Sequence, residues 1–333
     1  MRRLISRLIA TTLAAAVAIP LTVSAQGKPP TKVRYAEVVR SILYAPKYIA
    51  ITKGYFKEVG LEVSMFTAQG GDKAMAALLS NAADIALIGP ETAIYVMNSE
   101  SPMKVRMFSG LTATDGFMLV SRQKIDKFDW KMLKGKEILG FRPGSTPLLF
   151  LESAMKQHGL DPQKDAKLSN NVAIPARVGS WLAGQNQFAI FLEPEASQIE
   201  MDGKGFAVAS IGQTVGFADY TAFMATDKYI KENPEVVQAW TNAIFKAQRW
   251  VDQAPTAELV KALAEFFPGV NAQTLGAAAE RYRKLKIWKS SPMIDPKAID
   301  KFQDILVQGN VLDRGKRVKF DDLVLTNFAK NAK

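Results

Sequence analysis

The chain has 333 residues and a formal net charge of +11, with 48% hydrophobic and 23% charged residues, a composition typical of a globular protein and not of a disordered one. It contains no cysteine, which excludes disulfides, thiolate metal sites and thiol catalysis. Its single histidine, His158, excludes a histidine-rich metal cluster and any mechanism that needs two histidines.

The first 25 residues have the pattern of a secretory signal peptide. Arg2, Arg3 and Arg7 precede a short apolar run over 8–21, and small residues stand before a cleavage position after Ala25. The run is shorter than the roughly 20 residues of a membrane anchor. No cysteine follows that could carry a lipid. We therefore expect a protein exported to the periplasm, whose remaining length suffices for two domains.

Strands and helices are predicted to alternate along the rest of the chain. A first series has helices that begin after Ser41, Gly70-Gly71 and Gly89-Pro90, and a second series has helices over 147–158 and 177–183. The predicted strands lie at 33–39, 61–66, 85–88, 105–111, 136–141, 167–172, 188–192 and 206–211, and the segment 117–121 is a candidate crossover between the two series. Such alternation predicts an α/β fold with mostly parallel sheets flanked by helices.

The chain becomes mainly helical after the second series. Helices are predicted over 234–251, 257–267, 272–285 and 296–308, where apolar residues recur with a helical period. We expect two lobes, one of residues 32–115 and 222–333, the other of residues 116–221, with the helical tail packed on the first lobe.

Four turns that follow strands open helices with Gly, Ser, Thr or Pro: at Ser41, Gly70-Gly71, Gly89-Pro90 and Gly144-Ser145-Thr146. Exposed N–H groups and the positive end of the helix dipole favour an anionic or oxygen-rich ligand there. Each turn taken singly is also explained as a helix cap. Because ligands of open α/β sheets bind at the carboxyl ends of the strands, the four together predict a shared cleft.

Two charged residues stand beside these turns. The Arg142 guanidinium is placed to clamp a carboxylate, sulfonate or phosphate, or else is solvated or paired with a surface acid. Glu193, at a strand end, either accepts hydrogen bonds from a ligand amine or amide or caps the next helix. Candidate aromatic walls of the cleft are Tyr44, Phe117, Phe141, Trp181 and Tyr220.

No motif for phosphate-loop, dinucleotide, hydrolase, metalloprotease or calcium chemistry is present in the sequence. We therefore predict a protein that is not an enzyme and that has no cofactor and no metal. Two basic clusters, at 281–286 and 314–319, are interpreted as solvated surface, so we expect no nucleic-acid partner and a monomer.

The stretch from Tyr48 to Gly60 resembles the "KGYF…GL" signature of periplasmic substrate-binding proteins of ABC transporters. The group is the nitrate/sulfonate/taurine type, which is related to thiamine-pyrimidine binders. The likeness runs from about Val33 to Phe328 and includes further matching stretches at 71–79, 83–89, 133–136 and 191–194.

The resemblance implies a type II periplasmic binding protein, a two-lobed receptor that closes on its ligand and presents it to a permease and ATPase in the inner membrane. It also implies a set of ligand-binding residues: Ser41, Tyr44, Gly70, Gly71, Asp72, Glu91, Thr92, Arg142, Ser145, Thr146 and Glu193. The yeast-type pyrimidine synthase of this group uses a cysteine cluster and histidines with iron, which this chain lacks. Pro194 is followed by Glu195, which departs from the Glu-Pro-Trp signature of nitrate and bicarbonate receptors.

Several alternatives remain open at the level of sequence. A small sulfonate or carboxylate is the first ligand class, and a pyrimidine-like or other aromatic heterocycle is the second. An exported enzyme that uses carboxylates alone is the alternative from another functional class. A sensor subunit, which hands its ligand state to a membrane receptor instead of a permease, differs only in its partner.

Overall fold

Ten strands occur within residues 29–333, the part of the chain that the computed structural model describes. The predicted signal peptide, residues 1–25, lies outside the described residues. The strands are β1 (Thr31–Glu37), β2 (Leu61–Thr67), β3 (Ile85–Ile88), β4 (Val105–Thr112), β5 (Met118–Ser121), β6 (Glu137–Leu139), β7 (Lys167–Ser169), β8 (Phe188–Phe191), β9 (Phe206–Ser210) and β10 (Thr221–Thr226). They form two five-stranded sheets.

The helices of the described residues lie between the strands and at the end of the chain. They are α1 (Ala45–Thr52), α2 (Tyr55–Glu58), α3 (Gly71–Leu79), α4 (Pro90–Met97), α5 (Thr146–Gln157), α6 (Arg177–Leu182), α7 (Glu195–Met201), α8 (Ile211–Val215), α9 (Asp227–Glu232), α10 (Pro234–Gln253), α11 (Thr256–Leu263), α12 (Ala272–Lys284), α13 (Pro296–Gln308), α14 (Phe320–Leu323) and α15 (Thr326–Lys330). The long helices α10 and α13 both carry proline in the first turn, where its missing N–H has no intrahelical partner to lose.

The first sheet has the strand order β2-β1-β3-β10-β4. Strand β1 pairs in parallel with β2 and β3, whereas β10 pairs antiparallel with both β3 and β4. Four strands therefore run in one direction and β10 alone runs against them. All four residues of β3 are buried, as expected for a strand covered by helices on both faces.

The second sheet repeats this arrangement with the order β7-β6-β8-β5-β9. Here β5 is the single reversed strand, antiparallel to β8 and β9, while β6 is parallel to β7 and β8. In both sheets the reversed strand follows a crossover from the other sheet, at 113–117 and at 216–220. The predicted fold of two mostly parallel sheets flanked by helices is confirmed.

Helix α10 of the C-terminal tail packs on the first sheet, whereas α12 and α13 also contact α7 and α5 beside the second sheet. Helix α10 contacts α1 and α2, and its Trp240 lies fully buried against Tyr35 of β1 and Phe223 of β10, with ring centroids 5.2 and 5.4 Å away. Three aromatic rings from distant parts of the chain therefore fix the helical tail to the face of this sheet.

Two predicted strands are clearly shorter in the structure. The strand predicted over 167–172 ends as β7 at Ser169, and the strand predicted over 136–141 ends as β6 at Leu139. The carbonyl of Gly140 accepts a hydrogen bond from the side chain of Arg177, so the chain leaves the sheet here. The residues that follow, Phe141 to Thr146, turn into the space between the two sheets.

Candidate functional site

A cavity lies where the carboxyl ends of the strands of the two sheets face each other. Its empty space, including the mouth that is open to solvent, is about 840 Å³. The lining comes from 38–44, 70–71, 88–91, 141–147, 174–177 and 192–195, together with Phe117, Tyr220 and Thr221 near the crossovers. Both sheets and both crossovers therefore contribute to one cleft.

Nine of the eleven ligand-binding residues proposed from the sequence line this cleft: Ser41, Tyr44, Gly70, Gly71, Glu91, Arg142, Ser145, Thr146 and Glu193. Asp72 and Thr92 do not. The hydroxyl of Thr92 donates to the carbonyl of Gly89, 2.9 Å away, and so closes the first turn of α4. Asp72 is bound to Arg142.

Arg142 stands at the rim of the cleft and already has a carboxylate partner. Its Nη2 lies 2.7 Å from Oδ1 of Asp72, and the two side chains are 48% and 58% exposed. Pairing with an exposed acid is one of the alternatives that the sequence left open for this arginine. The contact joins the start of α3, beside the first sheet, to the loop before α5, beside the second.

Ser41 and Glu193 hold the two halves of the molecule together at the base of the cleft. The Ser41 hydroxyl donates to the carbonyl oxygen of Glu193 at 2.6 Å, and the N–H of Ile42 donates to the same oxygen at 3.2 Å. Ser41 Oγ also accepts from the N–H of Leu43, which is a helix-capping contact. The Ser41 hydroxyl thus both donates and accepts a hydrogen bond within the protein.

The Glu193 carboxylate is fully buried, and both of its oxygens accept hydrogen bonds from other residues of the protein. Oε1 accepts from Nη1 of Arg281 at 2.6 Å, and Oε2 accepts from the N–H of Ser197 at 3.0 Å. Burial raises the pKa of Glu193, while Arg281 opposes that rise. The contact with Ser197 in α7 corresponds to the capping alternative, and neither oxygen is left without a partner.

Glu91 and Thr146 converge from the two halves of the molecule over Gly89. Glu91 lies in the first turn of α4 and Thr146 begins α5. A Cβ atom on Gly89 would lie 2.1 Å from Glu91 Oε2 and 2.7 Å from Thr146 Oγ1. The backbone of Gly89 is ordinary extended chain, with φ of −72°. This position therefore needs glycine for space and not for its conformational freedom.

The converging atoms of Glu91 and Thr146 have no hydrogen-bond partner among the described residues. Both side chains are buried, and neither Glu91 Oε2 nor Thr146 Oγ1 makes a hydrogen bond of normal geometry. Burial raises the pKa of Glu91, and the nearby Thr146 hydroxyl opposes this only in part. Since unpartnered buried polar atoms are rare in folded proteins, this pair stands out in the cleft.

Two charged residues of the cleft, Arg177 and Glu195, are missing from the residues proposed from the sequence. Arg177 is 2% exposed, donates to the carbonyls of Gly140, Leu139 and Ile190, and stacks over Phe141 with its guanidinium carbon 3.8 Å from the ring centroid. Burial lowers its pKa to about 9. Burial raises the pKa of Glu195 to about 7.

One signal in the sequence points to Arg177. It stands four residues before Trp181 in α6, and residues at this spacing share a helix face. Both side chains are buried, so a large apolar residue four positions further along marks this arginine as one that faces inward. Glu195 has no such signal in its neighbours.

Four of the five candidate aromatic walls line the cleft: Tyr44, Phe117, Phe141 and Tyr220. The rings of Phe117 and Phe141 meet edge to face, with centroids 5.0 Å apart. Trp181 instead lies in the core of the second sheet against Phe191, one helical turn further along α6 than Arg177.

Within residues 29–333, no group of three or more His, Cys, Asp or Glu side chains is arranged to hold a metal ion. None of the helices described there is both long enough and apolar enough to cross a membrane.

Comparison with known proteins gives matches over most of the chain. The sequence profile of the NMT1-like family matches residues 26–265. YtlA of Bacillus subtilis (strain 168), whose name describes a binding protein, is 38% identical over 300 residues, which are 90% of this chain and 89% of YtlA. The family resemblance stated from the sequence is confirmed by these matches.

Solved structures share the fold at low sequence identity. The alkanesulfonate-binding protein SsuA from Xanthomonas axonopodis pv. citri, solved bound to MOPS, has a TM-score of 0.73 and 15% identity, with 90% of this chain and 100% of SsuA covered. The nitrate-binding protein NrtA from Synechocystis PCC 6803 has a TM-score of 0.73 and 17% identity, with 90% and 88% covered. These likenesses show a periplasmic binding protein fold, and the family profile, which covers well over half of the residues, shows that the chain belongs to the NMT1-like family.

Proposed function

We propose that this protein is the solute-binding component of an ABC import system. It is exported to the periplasm, captures a small polar or anionic solute in the cleft between the two sheets, and delivers it to a permease and ATPase in the inner membrane. The observation that carries this proposal is the cleft itself, which lies between two sheets that the chain connects through the crossovers at 113–117 and 216–220. The names of YtlA, SsuA and NrtA, all binding proteins, support it.

We propose that the two halves move as lobes, one of residues 32–115 and 222–333 and the other of residues 116–221. Contacts across the mouth favour the closed arrangement: Arg142 with Asp72, and the Tyr95 hydroxyl with the carbonyl of Gly144 at 3.0 Å. Closing excludes water from the ligand and so strengthens each of its hydrogen bonds. A shift between open and closed populations then reports loading to the permease.

The first candidate ligand is a small sulfonate or carboxylate. Arg177 is buried in the cleft lining near Glu195, whose charge partly offsets the lowering of the Arg177 pKa by burial. Its positive charge, in a site that excludes water, attracts an anionic group. The starts of α3, α4 and α5 add N–H groups along the same cleft. SsuA and NrtA are named for anionic ligands, in agreement with this candidate.

A flat aromatic heterocycle is the second candidate. The edge-to-face rings of Phe117 and Phe141, with Tyr44 and Tyr220, provide an apolar wall. A ring that carries polar atoms fits a pocket that is mostly apolar with a few convergent polar groups. For either ligand we propose stoichiometric binding without turnover.

A ligand screen on refolded protein tests the proposal. The exported protein is unfolded and refolded to strip retained ligand, and its thermal midpoint is measured with sulfonates, carboxylates, nitrate, pyrimidines and flavins. A ligand at ~1,000 times its Kd adds about 4 kcal/mol to the free energy of unfolding, which raises the midpoint of a chain of this size by several degrees. A selective rise with one class supports a receptor. Conversion of a compound to product, detected by mass spectrometry, would instead support an enzyme.

A further inference from the structure

The two unpartnered atoms over Gly89 identify a separate part of the cleft. We infer that Glu91 and Thr146 form a subsite for a hydrogen-bond donor of the ligand, an N–H group such as an ammonium, amidinium or amino nitrogen. The inference rests on the proposed solute-binding function, since it says which end of the solute is held at this point. It places the donor subsite at the junction between the two lobes.

The geometry of this subsite is fixed by three residues. Glu91 is 6% exposed and Thr146 is 4% exposed, and both line the cleft. Glu91 Oε2 and Thr146 Oγ1 both lie beside the Cα of Gly89, where a Cβ atom would meet them at 2.1 and 2.7 Å. The two oxygens thus occupy the space that a side chain at Gly89 would need, and they stand side by side at one point of the lining.

The chemistry of the subsite calls for a donor. An ionised carboxylate only accepts hydrogen bonds, and a buried oxygen without a partner is costly. The Thr146 hydroxyl has a single proton and the Glu91 oxygen has two lone pairs, so an acceptor position remains on Glu91 even when Thr146 donates to it. The nearby cations are engaged elsewhere, Arg142 with Asp72 and Arg177 with three carbonyls. The missing donor is therefore supplied by the ligand.

The same arrangement rejects a sulfonate or carboxylate group at this point. An anion beside Glu91 places two acceptors of like charge together in a site with little water, which is unfavourable. An anionic end of the solute is instead accommodated at Arg177, on the second lobe. The cleft thus has one end suited to an anion and another suited to an N–H group.

The subsite also couples recognition to closure. Glu91 belongs to α4 beside the first sheet, and Thr146 belongs to α5 beside the second. A donor that contacts both oxygens fastens the lobes to each other, whereas a solute without the donor binds only the second lobe strongly. When two solutes differ only in this donor, the solute that carries it therefore stabilises the closed form more strongly.

Matched probes that differ by one donor test the inference. We use 2-aminoethanesulfonate against propane-1-sulfonate, 4-aminobenzenesulfonate against 4-methylbenzenesulfonate, and 4-aminopyrimidine against 4-methylpyrimidine. Titration calorimetry and ligand-observed NMR are done on refolded protein at up to about 10 mM, where a ligand of millimolar Kd is bound. We expect the amino member to bind about tenfold more tightly in at least one pair, as for a charge-assisted hydrogen bond.

Variants assign this preference to the subsite. Glu91→Ala and Thr146→Val are expected to lower the preference for the amino member about tenfold and about threefold, and to leave the affinity for the methyl member within about twofold. Glu100→Gln, an exposed acid just beyond α4, is the control and keeps the preference. A crystal structure with the tightest amino probe is expected to place its nitrogen about 2.7–3.2 Å from Glu91 Oε2.

Each outcome decides between the two proposals. Methyl members that bind as tightly as amino members, or a preference that survives both variants, overturn the donor subsite and leave the solute-binding function intact. The same holds if the wider screen finds a ligand while every amino probe fails to bind at about 10 mM. If neither the screen nor the probes bind, the subsite and the proposed function both fall.

Discussion

Nη2 of Arg142 lies 2.7 Å from Oδ1 of Asp72, across the mouth of the cleft. Both side chains are about half exposed, and an ion pair of this kind contributes little to the free energy of unfolding because water screens it. The pair joins the two proposed lobes. If these lobes move as proposed, the pair opposes opening of the cleft more than it opposes unfolding.

The first prediction concerns this rim pair. Asp72→Asn is expected to leave the thermal midpoint within about 1 °C, since exposed pairs contribute at most about 1 kcal/mol, and to speed ligand dissociation severalfold. Stopped-flow displacement of a bound ligand measures the rate. Arg142→Ala in the Asp72→Asn background separates the two uses of the arginine, because a further loss of affinity there would mean that Arg142 contacts the ligand directly. Unchanged dissociation in Asp72→Asn contradicts the prediction.

The second prediction concerns the buried Arg177. Arg177→Met removes all three hydrogen bonds to the carbonyls of Gly140, Leu139 and Ile190. Leaving buried acceptors unsatisfied is expected to lower the free energy of unfolding by about 3 kcal/mol, and Arg177→Lys recovers only part because an ammonium lacks the planar fork. Urea unfolding measures both, with the exposed Arg314→Met as control. Equal stability of Arg177→Met and the parent would show that these bonds contribute nothing.

The third prediction concerns the space over Gly89. In Gly89→Ala the new methyl group meets the end of the flexible Glu91 side chain and the Thr146 hydroxyl. Glu91 is expected to swing away, so that ligand affinity falls at least about tenfold while the free energy of unfolding changes by about 1 kcal/mol. Gly179→Ala, with nothing within 4 Å of its Cβ position, is the matched control in α6 and binds normally. Titration calorimetry and urea unfolding of the two variants check this, and normal binding by Gly89→Ala would refute it.

The fourth prediction concerns Asp115 in the first crossover. This side chain is fully buried, and burial raises its pKa from 3.8 to about 8. A group whose pKa is higher in the folded state stabilises the protein fully below its unfolded pKa, and this contribution is lost as the pH rises through the folded pKa. The parent is therefore expected to lose stability between about pH 4 and pH 8 relative to Asp115→Asn, by a few kcal/mol.

Unfolding at a series of pH values measures the Asp115 contribution as the difference between parent and variant. Asp126→Asn, at a side chain that is 90% exposed, is the control and follows the parent. A constant difference between parent and Asp115→Asn from pH 4 to pH 8 would mean that Asp115 does not titrate in this window.

Local patterns of the sequence are enough to predict the strands, most helix starts and the turns that line the cleft. Ser41, Gly70 and Thr146 stand at predicted helix starts and line the cleft because the carboxyl ends of parallel strands meet at one edge. Pairing between distant residues lies beyond such patterns. The sequence proposes Arg142 and Asp72 as two separate ligand contacts, and no local pattern indicates that their side chains form an ion pair.

The burial of charged side chains is the second feature that local sequence patterns do not predict. Glu193 has an unremarkable neighbourhood in the sequence, yet Arg281, which meets its carboxylate, is 88 positions away and belongs to a helix of the C-terminal tail. Which acids are satisfied within the protein and which are left for a ligand depends on these long-range contacts. Glu91 and Glu193 look alike in the sequence, and only the folded chain separates the unpartnered acid from the paired one.

The place of β10 in the first sheet has a consequence for the order in which the chain folds. β10 lies between β3 and β4, and β4 pairs with no other named strand. The N-terminal residues up to Thr112 therefore cannot complete their sheet until residues 221–226 arrive, after the whole of the second sheet. Contacts so distant in sequence form slowly. Slow completion of the first sheet agrees with the proposed export, because a chain that is not yet folded can still pass through a narrow translocation channel.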